Sequence, residues 1–159
     1  MPITPLHFGV MAPINHLAKS KVSNTAFVLI NVIIDLPVIA MVLFPEVFKG
    51  DVLHGPLTHS FVGVMVLALL LSLFGYKSKK WILGIWIGGI SHIVMDMLVH
   101  PDMAPLYPKS GNLFYMGWMA PVSLVGFAFM TWWVLQMWDK NKMRLKSILH
   151  CCKINLPYV

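Results

Sequence analysis

Five apolar stretches separated by short polar segments follow one another along this chain. They cover residues 3–18, 24–44, 54–74, 81–99 and 113–138. At about 1.5 Å per helical residue, the last four approach or exceed the ~30 Å hydrocarbon core of a bilayer. The first is shorter and contains Pro13, which breaks or kinks a helix. The pattern predicts an all-α, polytopic membrane helix bundle. We expect four long transmembrane helices and a short N-terminal helix that is broken or re-entrant.

Composition and charge agree with this class. The chain has 159 residues, of which 58% are apolar and 11% charged, whereas a soluble domain carries about 25% charged residues. The net charge of +6 would suggest a nucleic-acid partner in a soluble protein, but here the basic residues flank apolar spans. We therefore expect no nucleic acid, and we expect a membrane-embedded bundle over residues 1–139 followed by a basic tail over 140–159.

The basic residues also predict the orientation. In the predicted topology ten of the 12 fall on one side, and only Lys49 and Lys109 fall on the other. Lysine and arginine are retained in cytoplasmic loops. The C-terminus is therefore expected in the cytoplasm and the N-terminus outside.

The stretch 81–99 carries ionisable residues, which are rare inside a membrane span. His92 and Asp96 are four residues apart, so a helix places them one turn apart on the same face. A charge at membrane depth costs about 2.5 kcal/mol or more, so such residues face a partner inside the bundle. An imidazole and a carboxylate at this spacing can bind one metal ion together.

The predicted topology brings further polar residues to the same outer half of the bundle. The set of candidate ligands is His7, Asp35, His54, His59, His92 and Asp96. Mixed nitrogen and oxygen ligands suit zinc best, with manganese or iron also possible. Six candidates exceed the four that one structural zinc needs, which suggests either two metals or one metal with an open position and supporting residues around it. His7, Asp35, His59, His92 and Asp96 are the predicted ligands, and Asp35 and His54 are the predicted catalytic groups.

Each candidate also has a purely structural interpretation. Asp35 could pair with a polar neighbour for packing alone, and His92 could form a structural hydrogen bond with Asp96. His59 could cap backbone groups at a helix start. For His100 and Asp102, which lie beside Pro101 in a loop, the structural interpretation is the favoured one.

Several of these segments resemble a known family. The segments are His7, Ile34-Asp35-Leu36-Pro37, His54-Gly55-Pro56-Leu57-Thr58-His59-Ser60, Gly89-Ile90-Ser91-His92-Ile93-Val94-Met95-Asp96 and Pro105-Leu106-Tyr107-Pro108. In this order they are similar to the LexA-binding, inner membrane-associated metal-dependent hydrolase family, which is distantly similar to zinc-dependent phospholipase C and the fungal single-strand nucleases. The resemblance implies a multi-helix membrane protein with a phosphoester substrate. It implies that His59, His92 and Asp96, with Asp35 and His7, occupy metal-ligand positions.

Two positions depart from the family pattern. Gly55 stands where the family has an arginine, and Pro37 stands where it has a second acid. An arginine would bind a phosphate with two parallel hydrogen bonds. These departures leave open whether catalysis is retained and how many metals bind.

The sequence therefore predicts a membrane-embedded, metal-dependent hydrolase that cleaves a phosphoester of a lipid or amphiphile near the outer leaflet. A lipid amidase would need a similar zinc site, so the type of bond stays open. The alternatives are a carrier for divalent cations or protons, and a non-catalytic membrane subunit. The oligomeric state is not predicted.

Overall fold

The computed structural model describes residues 4–18, 21–44, 55 and 57–151. These residues form α-helices joined by turns and loops, and they contain no strand, which confirms the all-α class. The helices are α1 (Thr4–Phe8), α2 (Met11–Ala18), α3 (Asn24–Ile34), α4 (Leu36–Leu43), α5 (Phe61–Phe74), α6 (Lys79–Val99) and α7 (Met119–Cys151).

The N-terminal stretch is broken into α1 and α2, but the break lies at Gly9 and Val10 rather than at Pro13. Pro13 falls in the first turn of α2, where a helix needs no backbone N–H donor. Gly9 packs directly on the backbone of α7, since a Cβ there would lie 2.5 Å from the amide nitrogen of Met130. The junction between α1 and α2 is thereby held against α7.

The stretch 24–44 bends at its carboxylate. α3 and α4 meet at Asp35 with an angle of 56° between them, and Asp35 ends one helix and precedes the other. Pro37, in the first turn of α4, cannot donate the backbone hydrogen bond that would continue α3. The bend turns the apolar residues of α4 away from the bundle, and it leaves the Asp35 side chain at the joint.

The prediction of four long transmembrane helices is wrong for the described residues. Two helices are long and apolar enough to cross a membrane, Lys79–Val99 and Met119–Arg144, and the bent pair of α3 and α4 would make a third. α5 has only 14 residues, because its helix starts at Phe61 and not at the histidine segment before it. The Ser60 hydroxyl accepts a hydrogen bond from the Gly63 amide at 3.0 Å and so caps the helix there.

The last apolar stretch also differs from its predicted bounds. α7 begins at Met119, six residues later than expected, because the preceding segment is irregular and contains Gly111 and Gly117 with positive φ angles. At its other end α7 continues to Cys151. The first part of the predicted basic tail is therefore an extension of this helix.

α6 lies at the centre of the bundle between α3 and α5, as its buried residues show. The main core cluster comprises Ala26, Ile30, Ile34, Val64, Ala68, Ile85, Ile93 and Met103. The Ser23 amide donates a hydrogen bond to the Lys80 carbonyl at 2.9 Å, and the Asn24 side chain contacts the Met137 sulfur at 3.4 Å. The basic residues near the start of α3, the start of α6 and the end of α7 therefore share one end of the bundle.

Candidate metal centre

Four buried side chains converge at the opposite end of α3 and α6. They are Asp35, His59, His92 and Asp96, and each offers one ligand atom within 4.8 Å of the other three. Asp35 comes from the joint between α3 and α4, His59 from the turn before α5, and His92 and Asp96 from successive turns of α6. The structure thus brings together four of the five predicted ligands.

The separations suit a tetrahedral ion. His92 Nε2 lies 3.0 Å from Asp96 Oδ2 and 3.2 Å from Asp35 Oδ1. His59 Nε2 lies 3.4 Å from Asp35 Oδ1 and 3.9 Å from Asp96 Oδ2. A zinc ion with bonds of about 2.0–2.1 Å holds tetrahedral ligand atoms roughly 3.4 Å apart. These four separations lie near that value, so the group could hold a metal ion.

The hydrogen bond with Asn31 determines which nitrogen of His92 carries the proton. The other nitrogen presents its lone pair to the carboxylates. The Asn31 amide nitrogen donates to the Phe27 carbonyl at 2.7 Å, so its Oδ1 is the atom 2.9 Å from His92 Nδ1. An amide oxygen only accepts, so His92 Nδ1 carries the proton. In the neutral ring, Nε2 is then a bare lone pair that faces two carboxylate oxygens. A buried group of these atoms could hold a cation.

His59 reaches the site from outside a helix, although it lies within the apolar stretch 54–74 that predicted one. It precedes the Ser60 cap of α5, and Thr58 Oγ1 lies 2.9 Å from its Nδ1. The Phe61 amide donates to the Pro105 carbonyl at 3.0 Å. The start of α5 is therefore tied to the loop that follows α6, and this tie holds His59 over the end of α6.

His7, the fifth predicted ligand, approaches the cluster from α1. Its ring stacks on the ring of His92 with centroids 4.2 Å apart, and its Nε2 lies 3.3 Å from Asp96 Oδ1. This is the other oxygen of the same carboxylate, so His7 is outside the four-atom group. The predicted catalytic residue His54 lies outside the described residues.

Two residues at the site, Asn31 and His100, were predicted neither as ligands nor as residues that orient a ligand. Asn31 orients His92, and it could have been found because it lies four residues before Asp35 on an otherwise apolar helix. His100 was interpreted as a structural loop residue. In the structure it is buried, with Nε2 3.9 Å from Asp96 Oδ1. Its spacing of four residues from Asp96 was the available signal.

Comparison with known proteins gives a family but no reaction. No curated protein and no solved structure matches the chain. The family model of the YdjM inner membrane protein family matches residues 11–154, a range that includes the four clustered ligands but not His7. Since this match covers most of the 159 residues, the chain belongs to the YdjM inner membrane protein family.

Proposed function

We propose that this inner membrane protein is a metal-dependent hydrolase that cleaves a phosphoester of a lipid or amphiphile near the outer leaflet. The observation that carries the proposal is the His92 nitrogen that faces two carboxylates in a buried space. The mixed nitrogen and oxygen donors favour zinc, with manganese or iron as other candidates.

The surroundings of the cluster support an amphiphilic substrate. A wholly apolar cleft of about 300 Å³ lies between α6 and α7, and Met95, Leu98 and Phe129 are among its lining residues. Met95 is next to Asp96 in the chain, and Leu98 is two residues further on. A hydrocarbon chain held in this cleft would place its polar head near the end of α6, where the ligands are. This arrangement favours a lipid over a small soluble phosphoester.

The protein groups would divide the chemistry as follows. The bound ion would supply Lewis acidity toward a phosphoryl oxygen and a water molecule. Asp35 sits at a helix joint within the cluster, and its carboxylate is one candidate to hold the proton lost by an attacking water. His54 is a second candidate for this proton, from its place in the sequence before His59.

The first experiment compares metal content and hydrolysis in purified wild type and in the Asp96→Ala and His92→Ala variants. Elemental analysis should find metal in the wild type and strongly reduced metal in both variants. Release of phosphorylated or dephosphorylated headgroups from a panel of phospholipids should fall in parallel. His16→Ala is the matched control, because His16 is exposed on α2 and stacks near Trp132, away from the cluster.

Two outcomes would contradict the proposal in different ways. Full metal occupancy in Asp96→Ala and His92→Ala would refute the assignment of the ligands. A fully loaded wild type that cleaves no member of the phospholipid panel would refute the reaction while leaving the metal site intact.

A carrier for divalent cations or protons is the second candidate, because buried carboxylates and imidazoles within a membrane bundle are also typical of transport pathways. Within the described parts of α3, α5 and α6, however, no ionisable side chain lies between the cluster and the basic end of the bundle. A relay across the membrane would need such groups. Cation flux into proteoliposomes without any hydrolysis would favour the carrier.

A further inference from the structure

A cavity lies at the basic end of the bundle, opposite the metal centre. Its volume is about 430 Å³, and Ser23, Phe74, Ser78, Lys80 and Trp81 are among its lining residues. We propose that this cavity binds the headgroup of an anionic phospholipid. Lys80 and the hydroxyls of Ser23 and Ser78 are the groups that contact the phosphate. The inference does not use the metal site, and it goes beyond the proposed function.

Three helices form the walls of the cavity, and hydrogen bonds hold them together. Ser23 precedes α3, Ser78 precedes α6, and the end of α5 forms the third wall. The Ser23 amide donates to the Lys80 carbonyl at 2.9 Å. The Trp81 indole nitrogen donates to the Leu71 carbonyl of α5 at 3.0 Å. The shape of the cavity is therefore fixed by contacts between α3, α5 and α6.

The polar side chains at the cavity offer hydrogen-bond donors. Ser23 Oγ accepts a hydrogen bond from the Ala26 amide at 3.3 Å, and Ser78 Oγ accepts one from the Trp81 amide at 3.3 Å. A hydroxyl that accepts in this way keeps its own hydrogen for donation to another group. The Lys80 ammonium adds three N–H donors and no acceptor. This set of donors is complementary to an anion with several oxygen atoms, such as a phosphate.

The charge around the cavity is positive. Lys77, Lys79 and Lys80 lie at the turn from α5 into α6, and Lys21 lies shortly before α3. All four lysines are exposed. Within the described part of the chain, no carboxylate forms a salt bridge with any of them. Their charge therefore remains available to an anionic partner outside the protein.

The depth of the cavity in the bundle favours a lipid as its occupant. The membrane-spanning helix α6 begins at Lys79, so the cavity lies where the hydrocarbon core meets the headgroups. Trp81 is of the residue type that is enriched at this level of a membrane. Beside it, Leu73 and Phe74 at the end of α5 are 68% and 84% exposed. A phosphate joined to acyl chains matches both the basic and the apolar surface, whereas inorganic phosphate matches only the basic one.

A basic surface also attracts anionic lipids without any defined site. The two cases differ in the effect of a single substitution. Diffuse attraction falls by a similar amount when any lysine of this end is neutralised. A defined site depends on Lys80 and Ser78 more than on Lys142, which is exposed on α7 and does not line the cavity.

The experiment is native mass spectrometry of the full-length protein, titrated in detergent with phosphatidylglycerol or with phosphatidylcholine of the same acyl chains. The cavity variants are Lys80→Gln and Ser78→Asp, which keeps a side chain that caps α6 and opposes the phosphate with a negative charge. The controls are Lys142→Gln at the same end and Lys109→Gln in the loop after α6. Far-UV circular dichroism checks that each variant is folded.

We expect the wild type to retain a single phosphatidylglycerol per chain and to bind phosphatidylcholine much more weakly. The dissociation constant for phosphatidylglycerol should rise about tenfold or more in both cavity variants, the effect of losing a hydrogen bond to a charged group. It should be unchanged in both controls.

Several results would overturn the inference. A wild type that retains no phosphatidylglycerol, or that binds phosphatidylcholine equally well, would exclude a site for an anionic headgroup. Equal weakening in Lys142→Gln and Lys80→Gln would show diffuse attraction to the basic surface. Displacement of the lipid by an equal concentration of inorganic phosphate would exclude the lipid as the occupant. None of these readouts depends on metal content or hydrolysis, so the inference and the proposed function are tested separately.

Discussion

At the scale of single residues, the site depends on the side-chain amide of Asn31. Two hydrogen bonds connect the Phe27 carbonyl to the Asn31 side chain and the Asn31 side chain to His92 Nδ1. They leave a single tautomer for the neutral His92 ring, with the proton on Nδ1. Without the Asn31 oxygen the ring could rotate or carry its proton on the nitrogen that faces Asp35 and Asp96. This tautomer directs the lone pair of His92 Nε2 toward Asp35 and Asp96.

We predict that Asn31→Leu, which keeps the branching of the side chain and removes this oxygen, weakens zinc binding about 10–100-fold, the usual effect of losing an outer partner of a metal ligand. Competition with a chromophoric chelator measures the affinity. Asn15→Leu is the matched control, because Asn15 is also buried but lies on α2, away from the cluster. Unchanged affinity in Asn31→Leu would show that Asn31 does not orient His92.

At the scale of helices, the site depends on how closely α3 and α6 approach. Gly84, Gly88 and Gly89 lie along the contact, and a Cβ on any of them would collide with a neighbour. Small residues let helix backbones come together inside a membrane. A wider separation would move Asp35 and Asn31 away from His92, because α3 positions the first two residues and α6 carries His92.

We predict that Gly84→Ala destabilises the bundle more than Gly89→Ala does. At Gly84 the new methyl would lie 2.5 Å from the Ser23 backbone carbonyl, whereas at Gly89 it meets only side-chain atoms of Val64 and Ile30. Overpacking costs about 1–3 kcal/mol, and alanine recovers about 1 kcal/mol of helix propensity. Gly89→Ala should therefore destabilise the bundle less than Gly84→Ala does.

Thermal unfolding in detergent, followed by circular dichroism, measures the difference between these two variants. Equal melting temperatures for the two variants would contradict the close backbone contact between α3 and α6. The metal content of Gly84→Ala should also be reduced, because the movement of α3 would displace Asp35.

At the scale of the whole molecule, the basic residues and the buried Asp and His cluster lie at opposite ends of the bundle. The basic residues of the turns before α3 and α6 and of the last turns of α7 lie together at one end, and the ligands lie at the other. Basic residues are retained on the cytoplasmic side. We therefore propose that the C-terminus is cytoplasmic, the N-terminus is outside and the ligands lie toward the outer leaflet.

We predict that alkaline phosphatase, which is active only outside the cytoplasm, is inactive when fused after Val159 and active when fused after Gly111, in the loop that follows α6. A green fluorescent protein fused at the same positions should give the reverse pattern. Phosphatase activity at the C-terminus would place the metal cluster on the cytoplasmic side and refute an outer-leaflet substrate.

The sequence alone was sufficient for the helical class, for the membrane location and for the four residues of the buried cluster, because an ionisable residue within an apolar stretch is costly at any position of the fold. His92 and Asp96 are paired by helical spacing, a local property. The helix count was not predictable in this way, because the apolar pattern continues through Asp35 and through the segment before Phe61, where local capping and a proline end the helices.

Only the tertiary structure decided which histidines face each oxygen of Asp96. The two oxygens of Asp96 are equivalent in the sequence, and they become different because α1 and the loop after α6 approach one of them while His59 and His92 approach the other. The role of Asn31 likewise requires α3 to lie against α6. These are contacts between residues distant in the chain, and their geometry follows from helix packing rather than from spacing along any one helix.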